Sequence, residues 1–352
     1  MLRLICRCGG RRAFARWRLF GTSKTAGIVF GVFLFSCGKA PEIDPEFVAN
    51  FRPAPLQMLS ASNEITEEKV ALGRMLFYDE RLSKGRNISC NTCHLLERYG
   101  VDGLPVSIGH QQQKGTRNAP SVYYAAGHVI QFWDGRSGSV EEQVRGPMLN
   151  GVEMGMPDAA GVEAALVSIP GYKEAFRKAF PAAKASVSIE NASYAIAAFE
   201  RKLVTPSRWD KFLSGDGRAL TGVEKAGFVA FYRAGCHTCH RGPYLGGTLY
   251  QKVGMVKAWP NQADLGRFLI TRLEQDRMVF KVPSLRNVEK TGPYFHDGSV
   301  GNLRDAVRMM GEHQVERPLT ESEIRQIAAW MGSLTGEIPT DYIRRPELPK
   351  GD

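Results

Sequence analysis

GCHTCH occupies Gly235–His240, and SCNTCH occupies Ser89–His94. Each stretch sets two cysteines three positions apart and follows the second directly with a histidine. The chain has seven cysteines, and four of them, Cys90, Cys93, Cys236 and Cys239, fall in these two copies. A redox dithiol does not need the histidine, and a zinc site needs further ligands at finger-like spacing.

Cys-x-x-Cys-His is the attachment signature of haem c: the two thiols bond the vinyl groups, and the adjacent histidine reaches the iron from the same face. Cys90, Cys93 and His94 therefore predict one covalent haem, and Cys236, Cys239 and His240 a second. His237, inside the second loop, reads as a variable position.

The segments before the two motifs repeat. EEKVALGRMLFY spans Glu67–Tyr78 and VEKAGFVAFY spans Val223–Tyr232; both carry Glu-Lys, then Gly, then Phe-Tyr, with apolar residues at helical spacing. Thr221 with Glu224 forms a capping box, and Thr66 is the N-cap expected for the first helix. Later, LTESEIRQIAAWMGSLTG carries a second box, Thr320 with Glu323, an apolar face of Ile324, Ile327, Ala328, Met331 and Leu334, and Gly336 as a stop. Asn191–Val204 reads as a comparable helix, followed by Pro206 and a polar joint. The fold class expected is all-α with short loops and little sheet: two tandem cytochrome c-like domains, each binding one covalently attached haem c, at 61–206 and at 207–352 with its C-terminal tail, preceded by a linker at 38–60.

Residues 1–37 read as an export signal. Arg3, Arg7, Arg11, Arg12, Arg16, Arg18 and Lys24 precede the apolar run Ala26–Ser36 without an acid among them. That run is shorter than the roughly 20 residues a spanning helix takes. LFSC, Leu34–Cys37, resembles a bacterial lipobox, which would make Cys37 a lipid anchor on a periplasmic protein. The net charge of +10 is largely a property of this leader: without its seven basic residues, 39 basic residues face 36 acidic ones. Two haems would add four propionates and bring the balance near zero. The remaining basic residues are interspersed with acids, which argues against nucleic acid as a partner.

A haem with two strong ligands carries electrons, whereas one with a displaceable ligand can bind peroxide. Seven histidines and eleven methionines leave the sixth ligands open by spacing alone. From about Leu76 to Leu334, however, the chain resembles the bacterial dihaem cytochrome c peroxidases. The similarity runs through DERLSKGRNISCNTCH, SIGHQQQKGTRNAPSVYYA, QFWDGR, GPMLNGVEM, GCHTCHRGPYLGG, FKVPSLRNVEKTGPYFHDGSV and LRDAVRMMG, in that order.

That resemblance implies roles residue by residue. His110, sixteen residues after His94, matches the histidine that caps the first haem at rest and leaves when the second is reduced. Glu153 matches the distal acid–base carboxylate and Gln143 a nearby amide. Trp133 matches the aromatic between the haems. Met310 matches the axial ligand of the second haem, with Met309 its neighbour and rival. Asn118, Thr291 and Pro293 match a calcium site between the domains. The activity implied is reduction of hydrogen peroxide with two electrons from a small periplasmic cytochrome c or copper protein. Members of that family are commonly dimers, although no stretch here reads as an interface. His296 lies in the best-matched segment without an assigned chemistry, and His128 and His313 read as structural. Two rival readings stand beside this one: a dihaem oxidase like the enzyme that matures the methylamine dehydrogenase cofactor, and a dihaem electron carrier. The first is disfavoured by His110 and Met310, the second by Glu153.

Overall fold

The structure, a computed structural model, describes residues 42–350. The leader and the Cys37 box lie outside the described residues. Thr66 opens the first long helix: its side chain accepts from the Lys69 amide at 3.2 Å, and α1 runs Glu67–Tyr78. α2 (Ala159–Val167), α3 (Pro170–Ala179) and α4 (Ile189–Glu200) follow. α5 (Gly222–Arg233), α6 (Leu303–His313) and α7 (Glu321–Gly332) complete the longer helices among the described residues. Both predicted capping boxes are formed, Thr221 with Glu224 and Thr320 with Glu323.

The repeat seen in the sequence is a repeat of helix crossings. α1 packs on α4, and α5 packs on α7. At each crossing the repeated glycine meets the partner's backbone. A Cβ on Gly73 would stand 1.9 Å from the Ala195 carbonyl oxygen, and one on Gly227 would stand 1.9 Å from that of Gln326. Nothing larger than hydrogen fits either place.

Two hydrophobic clusters form around these crossings. Leu72, Leu76, Phe77, Tyr172, Phe176 and Phe199 anchor the first. Trp209, Phe228, Phe231, Ile324, Ile327 and Trp330 anchor the second, with Trp330 packed 4.5 Å from Phe231 and 5.4 Å from Trp209 between ring centroids. Each such ring, fully buried, contributes about 1.5–3 kcal/mol.

The ends of the chain cross between these groups. The segment read as a linker is docked: Phe47 stacks on Tyr232 at 4.1 Å, and the Ala54 amide donates to Asp210 at 2.8 Å. The tail returns to the first cluster, where Tyr342 Oη donates to the Phe199 carbonyl at 2.7 Å.

Three expectations need correction. α4 covers Ile189–Glu200 rather than Asn191–Val204. Ser188 is its cap, accepting from the Asn191 amide at 3.1 Å, and the turn after Glu200 delivers the Leu203 carbonyl to the Tyr124 amide at 3.0 Å. Gly336 is not the stop of α7, which ends at Gly332. The Ser333 and Leu334 carbonyls bond the Trp209 and Asn287 amides at 3.1 and 3.2 Å, drawing the chain out of the helix. The loops are also long. Between His94 and Val140, and between His240 and Leu303, no helix exceeds four residues. The second of these stretches holds β1 (Tyr250–Lys252) and β2 (Val279–Lys281), an antiparallel pair with Gln251 opposite Phe280. Irregular backbone of this length can wrap a bulky group in a way a helix cannot, and it carries the cavity described next.

Candidate active site

The two Cys-x-x-Cys-His stretches fold as single turns. The Ser89 amide donates to Thr92 Oγ1 at 3.0 Å, and the His94 amide to the Cys90 carbonyl at 2.9 Å. In the second copy the His240 amide reaches the Cys236 carbonyl at 3.0 Å, after Gly235 turns the chain at φ 83°. One turn thus gathers two thiols and an imidazole.

Each histidine is then oriented by a backbone carbonyl. His94 Nδ1 lies 3.2 Å from the Gly100 oxygen, and His240 Nδ1 lies 3.1 Å from the Leu245 oxygen. A carbonyl can only accept, so the proton sits on Nδ1 and the Nε2 lone pair is free for a metal. Burial lowers both imidazoles, His240 to about 4, so both are neutral. Burial also pushes the thiols up, Cys93 to about 11 and Cys236 to about 12. All four cysteines are unpaired. Protonated thiols beside a neutral, pre-oriented imidazole fit thioether attachment and iron ligation.

One cavity of about 750 Å³ is lined by both sets of residues. Its wall also carries Trp133, Phe280 and His296. The Trp133 indole donates to the Asn118 carbonyl at 2.9 Å, and the Trp133 carbonyl accepts from the Lys281 amide at 2.7 Å, which ties this loop to β2. His296 stacks on Phe280 at 4.2 Å and stands edge-on to Trp133 at 6.4 Å. Its Nε2 is buried without a partner. A largely apolar cavity of this size with an orphaned polar atom on its wall fits a large, flat, partly polar cofactor.

Glu153 and Gln143 line the same cavity with Cys93 and His94. Asn150 holds the carboxylate, its Nδ2 donating to Glu153 Oε1 at 2.7 Å. The same residue shapes the turn by accepting the Val152 amide on its side chain at 2.9 Å and the Glu153 amide on its carbonyl at 3.0 Å. Burial raises the Glu153 carboxyl, against the opposing pull of Arg136 and the Asn150 amide.

His110 is tied to this turn by its backbone, donating to the Val152 and Glu153 carbonyls at 2.9 and 2.8 Å. Its imidazole is not on the cavity wall. It lies against Gly155, where a Cβ would come within 2.9 Å of the ring, and against Gly85, where the distance would be 3.4 Å. Gln111 and Gln112 follow at φ 55° and 62°, a strained pair that costs of order 1 kcal/mol per residue.

Met310, in the last turn of α6, also lines the cavity. Met309, its neighbour, packs against the cluster of Trp259, Met278 and Phe280 without lining the cavity. Asn118, Thr291 and Pro293 also share this wall. Asn118 gives its Nδ2 to the Leu104 carbonyl at 2.9 Å, which turns Oδ1 the other way, as an oxygen ligand requires. No cluster of three or more His, Cys, Asp or Glu suited to a metal occurs among the described residues, so such a site depends on carbonyls. His237 is stacked on Tyr232 at 3.8 Å, and His313 bonds the Lys257 carbonyl at 3.1 Å. Sequence reasoning missed Asn150, Arg136, Phe280 and Lys281. Only spatial proximity singles them out.

The family model described as di-haem cytochrome c peroxidase matches residues 67–218. The cytochrome c551 peroxidase of Pseudomonas aeruginosa is 42% identical over 90% of this chain and 92% of its own. That of Nitrosomonas europaea is 43% identical over 84% and 87%. Among solved structures, a MauG-like protein associated with microbial copper homeostasis is similar, with a TM-score of 0.75 and 31% identity over 83% of this chain and 97% of that one.

Proposed function

Because this chain belongs to the di-haem cytochrome c peroxidase family and is a peroxidase among the oxidoreductases, we propose that it reduces hydrogen peroxide to two waters in the periplasm. Two protons and two electrons are consumed, the electrons coming from a small cytochrome c or copper protein. The family carries two haems; here Cys90 with Cys93 and Cys236 with Cys239 hold them, and His94 and His240 ligate them. Residues 61–206 and 207–352 serve as the peroxidatic and electron-accepting domains.

When bound, the haems supply the iron that takes up peroxide and the reservoir from which it is reduced. The protein supplies the proton traffic. Glu153 takes a proton from the inner peroxide oxygen and returns it to the outer one, which leaves as water. A half-buried carboxyl whose pKa is raised by its surroundings suits both halves of that task. Gln143 offers an amide to orient the peroxide, and Asn150 fixes the carboxylate. His110 would be the residue that caps the first haem's iron at rest and leaves it open for peroxide. Trp133 would serve the passage of electrons from one haem to the other, and Met310 would help hold the second haem, its thioether favouring a high potential. Asn118, Thr291 and Pro293 hold calcium beside that route.

The observation that carries this reading is the pairing of a half-buried Glu153 on the cavity wall with an imidazole of His110 packed away from it. The test is peroxide consumption by haem-loaded, half-reduced protein with a small redox donor, compared with Glu153→Gln. Loss of about 10²–10⁴-fold in rate, with two haems still attached, is expected; an unchanged rate contradicts the assignment.

A further inference from the structure

Lys281 closes β2 and is 6% exposed. Its Nζ has a single polar neighbour, His128 Nδ1 at 3.5 Å. The acid whose charge it feels is Asp134, but both Asp134 oxygens are already taken, by Arg117 at 2.6 Å and by Arg136 at 3.0 Å. Arg117 in turn uses Asp264, at 2.6 Å. Of Arg117, Arg136 and Lys281, Lys281 is therefore the one without a carboxylate in contact. Burial without a dedicated counter-charge pushes the Lys281 ammonium down to about 8.

His128 is equally incomplete. Its ring is wedged against Gly247, where a Cβ would stand 2.3 Å from Cδ2, and against Tyr244 at 5.7 Å. Its Nε2 is buried without a partner. Lys281 and His128 both line the cavity that joins the two Cys-x-x-Cys-His turns. An unpaired buried ammonium costs several kcal/mol unless an anion meets it.

The surrounding backbone says which end of the cavity is concerned. The loop that orients His240 through the Leu245 carbonyl continues to Gly247, whose amide donates to the Val282 carbonyl at 2.7 Å. Lys281 and His128 thus stand beside the loop that orients His240.

We propose that Lys281, assisted by His128, binds a carboxylate, the propionate of the second haem, and so sets that haem's potential. This rests on the two-haem reading given above. A nearby positive charge disfavours the oxidised, more positive form of the haem; removing it shifts the reduction equilibrium toward oxidation. At an effective dielectric near 20 and a separation on the order of 10 Å, the shift is about tenfold.

The test uses the holoprotein and Lys281→Gln, Lys281→Arg and His128→Phe. Haem per chain is counted first, as pyridine haemochrome; fewer than two in the wild type would sink the two-haem reading itself. Spectroelectrochemical titration then follows each haem. Lys281→Gln should favour oxidation of the second haem about tenfold and leave the first unchanged. Lys281→Arg should restore most of the wild-type value, and His128→Phe should shift it less in the same direction. Potentials unchanged in Lys281→Gln with both haems attached would overturn the proposal, as would equal shifts at both haems. Should Lys281→Gln fail to fold, His128→Phe decides: no shift overturns the proposal. A second arm adds acetate to the wild type. A potential that follows acetate concentration would mean a free carboxylate occupies the site, and would overturn the propionate assignment.

Discussion

The backbone amide of His110 donates to the carbonyl oxygen of Glu153 at 2.8 Å. The residue proposed to cap the first iron and the residue proposed to move its protons are therefore segments of one hydrogen-bonded unit, and a shift of either loop is felt by the other. Gly155 completes the unit by leaving room for the imidazole.

Gly155→Ala should favour the capped state. Its Cβ would come 2.9 Å from the His110 ring, so the withdrawn imidazole loses its place. A cost of about 1.4 kcal/mol would lower the fraction of uncapped protein about tenfold. The check is the high-spin absorbance of the half-reduced variant. His110→Ala should do the reverse and give a high-spin first haem without prior reduction.

The two adjacent methionines are separable. Met310→Ala should lower the potential of the second haem and abolish its methionine–iron absorbance, since a thioether ligand raises potential. Met309→Ala, removing a side chain that packs against the cluster of Trp259, Met278 and Phe280, should leave both close to wild type. Visible spectra and redox titration of the two variants decide between them.

Asp210 holds together the docked N-terminal segment and the second cluster. It accepts from Arg286 at 2.6 Å and from the Ala54 amide at 2.8 Å. Burial alone would raise its carboxyl, but Arg286, the Ala54 amide and Ser207 outweigh burial and hold it below the usual range. A depressed folded pKa adds stability that is complete above the unfolded value, about 3.9, and is lost as pH falls through the folded value. Asp210→Asn should cost about 3–5 kcal/mol near neutrality by stranding the buried Arg286. Its melting temperature should also fall less steeply than the wild type's as pH drops below about 4. Thermal melts across that range read both effects.

The glycines at the helix crossings should be intolerant. Gly227→Ala puts a methyl group 1.9 Å from the Gln326 carbonyl, and separating α5 from α7 should cost at least about 1–3 kcal/mol. Gly301→Ala, with no atom within 4 Å of the added Cβ, should be close to neutral. Denaturant midpoints of the two variants give the comparison.

What the sequence made legible was what depends on near neighbours. The Cys-x-x-Cys-His turns and the capping boxes at Thr221 and Thr320 are specified within six residues. Gly73 and Gly227 were visible as a repeat, though not as helix crossings. The long stretches after His94 and His240 were not legible, because they follow no hydrophobic period and take their course from partners far along the chain. Lys281 and Asn150 were missed for the same reason: an amine is an ordinary surface group until folding buries it on the cavity wall, and an exposed amide says nothing until its bond to Glu153 is seen. The linker reading of 38–60 missed Phe47 and Phe51, whose partners Tyr232 and Trp209 lie more than 150 residues away.

The most direct measurement is the visible spectrum of the haem-loaded protein before and after the second haem alone is reduced, with peroxide turnover read on the same samples. The account predicts a first haem that is low-spin and slow when fully oxidised, and that gains a high-spin band together with peroxidase activity on half-reduction. A first haem that stays low-spin in both states would contradict a withdrawing His110 and leave a carrier of electrons in place of an enzyme.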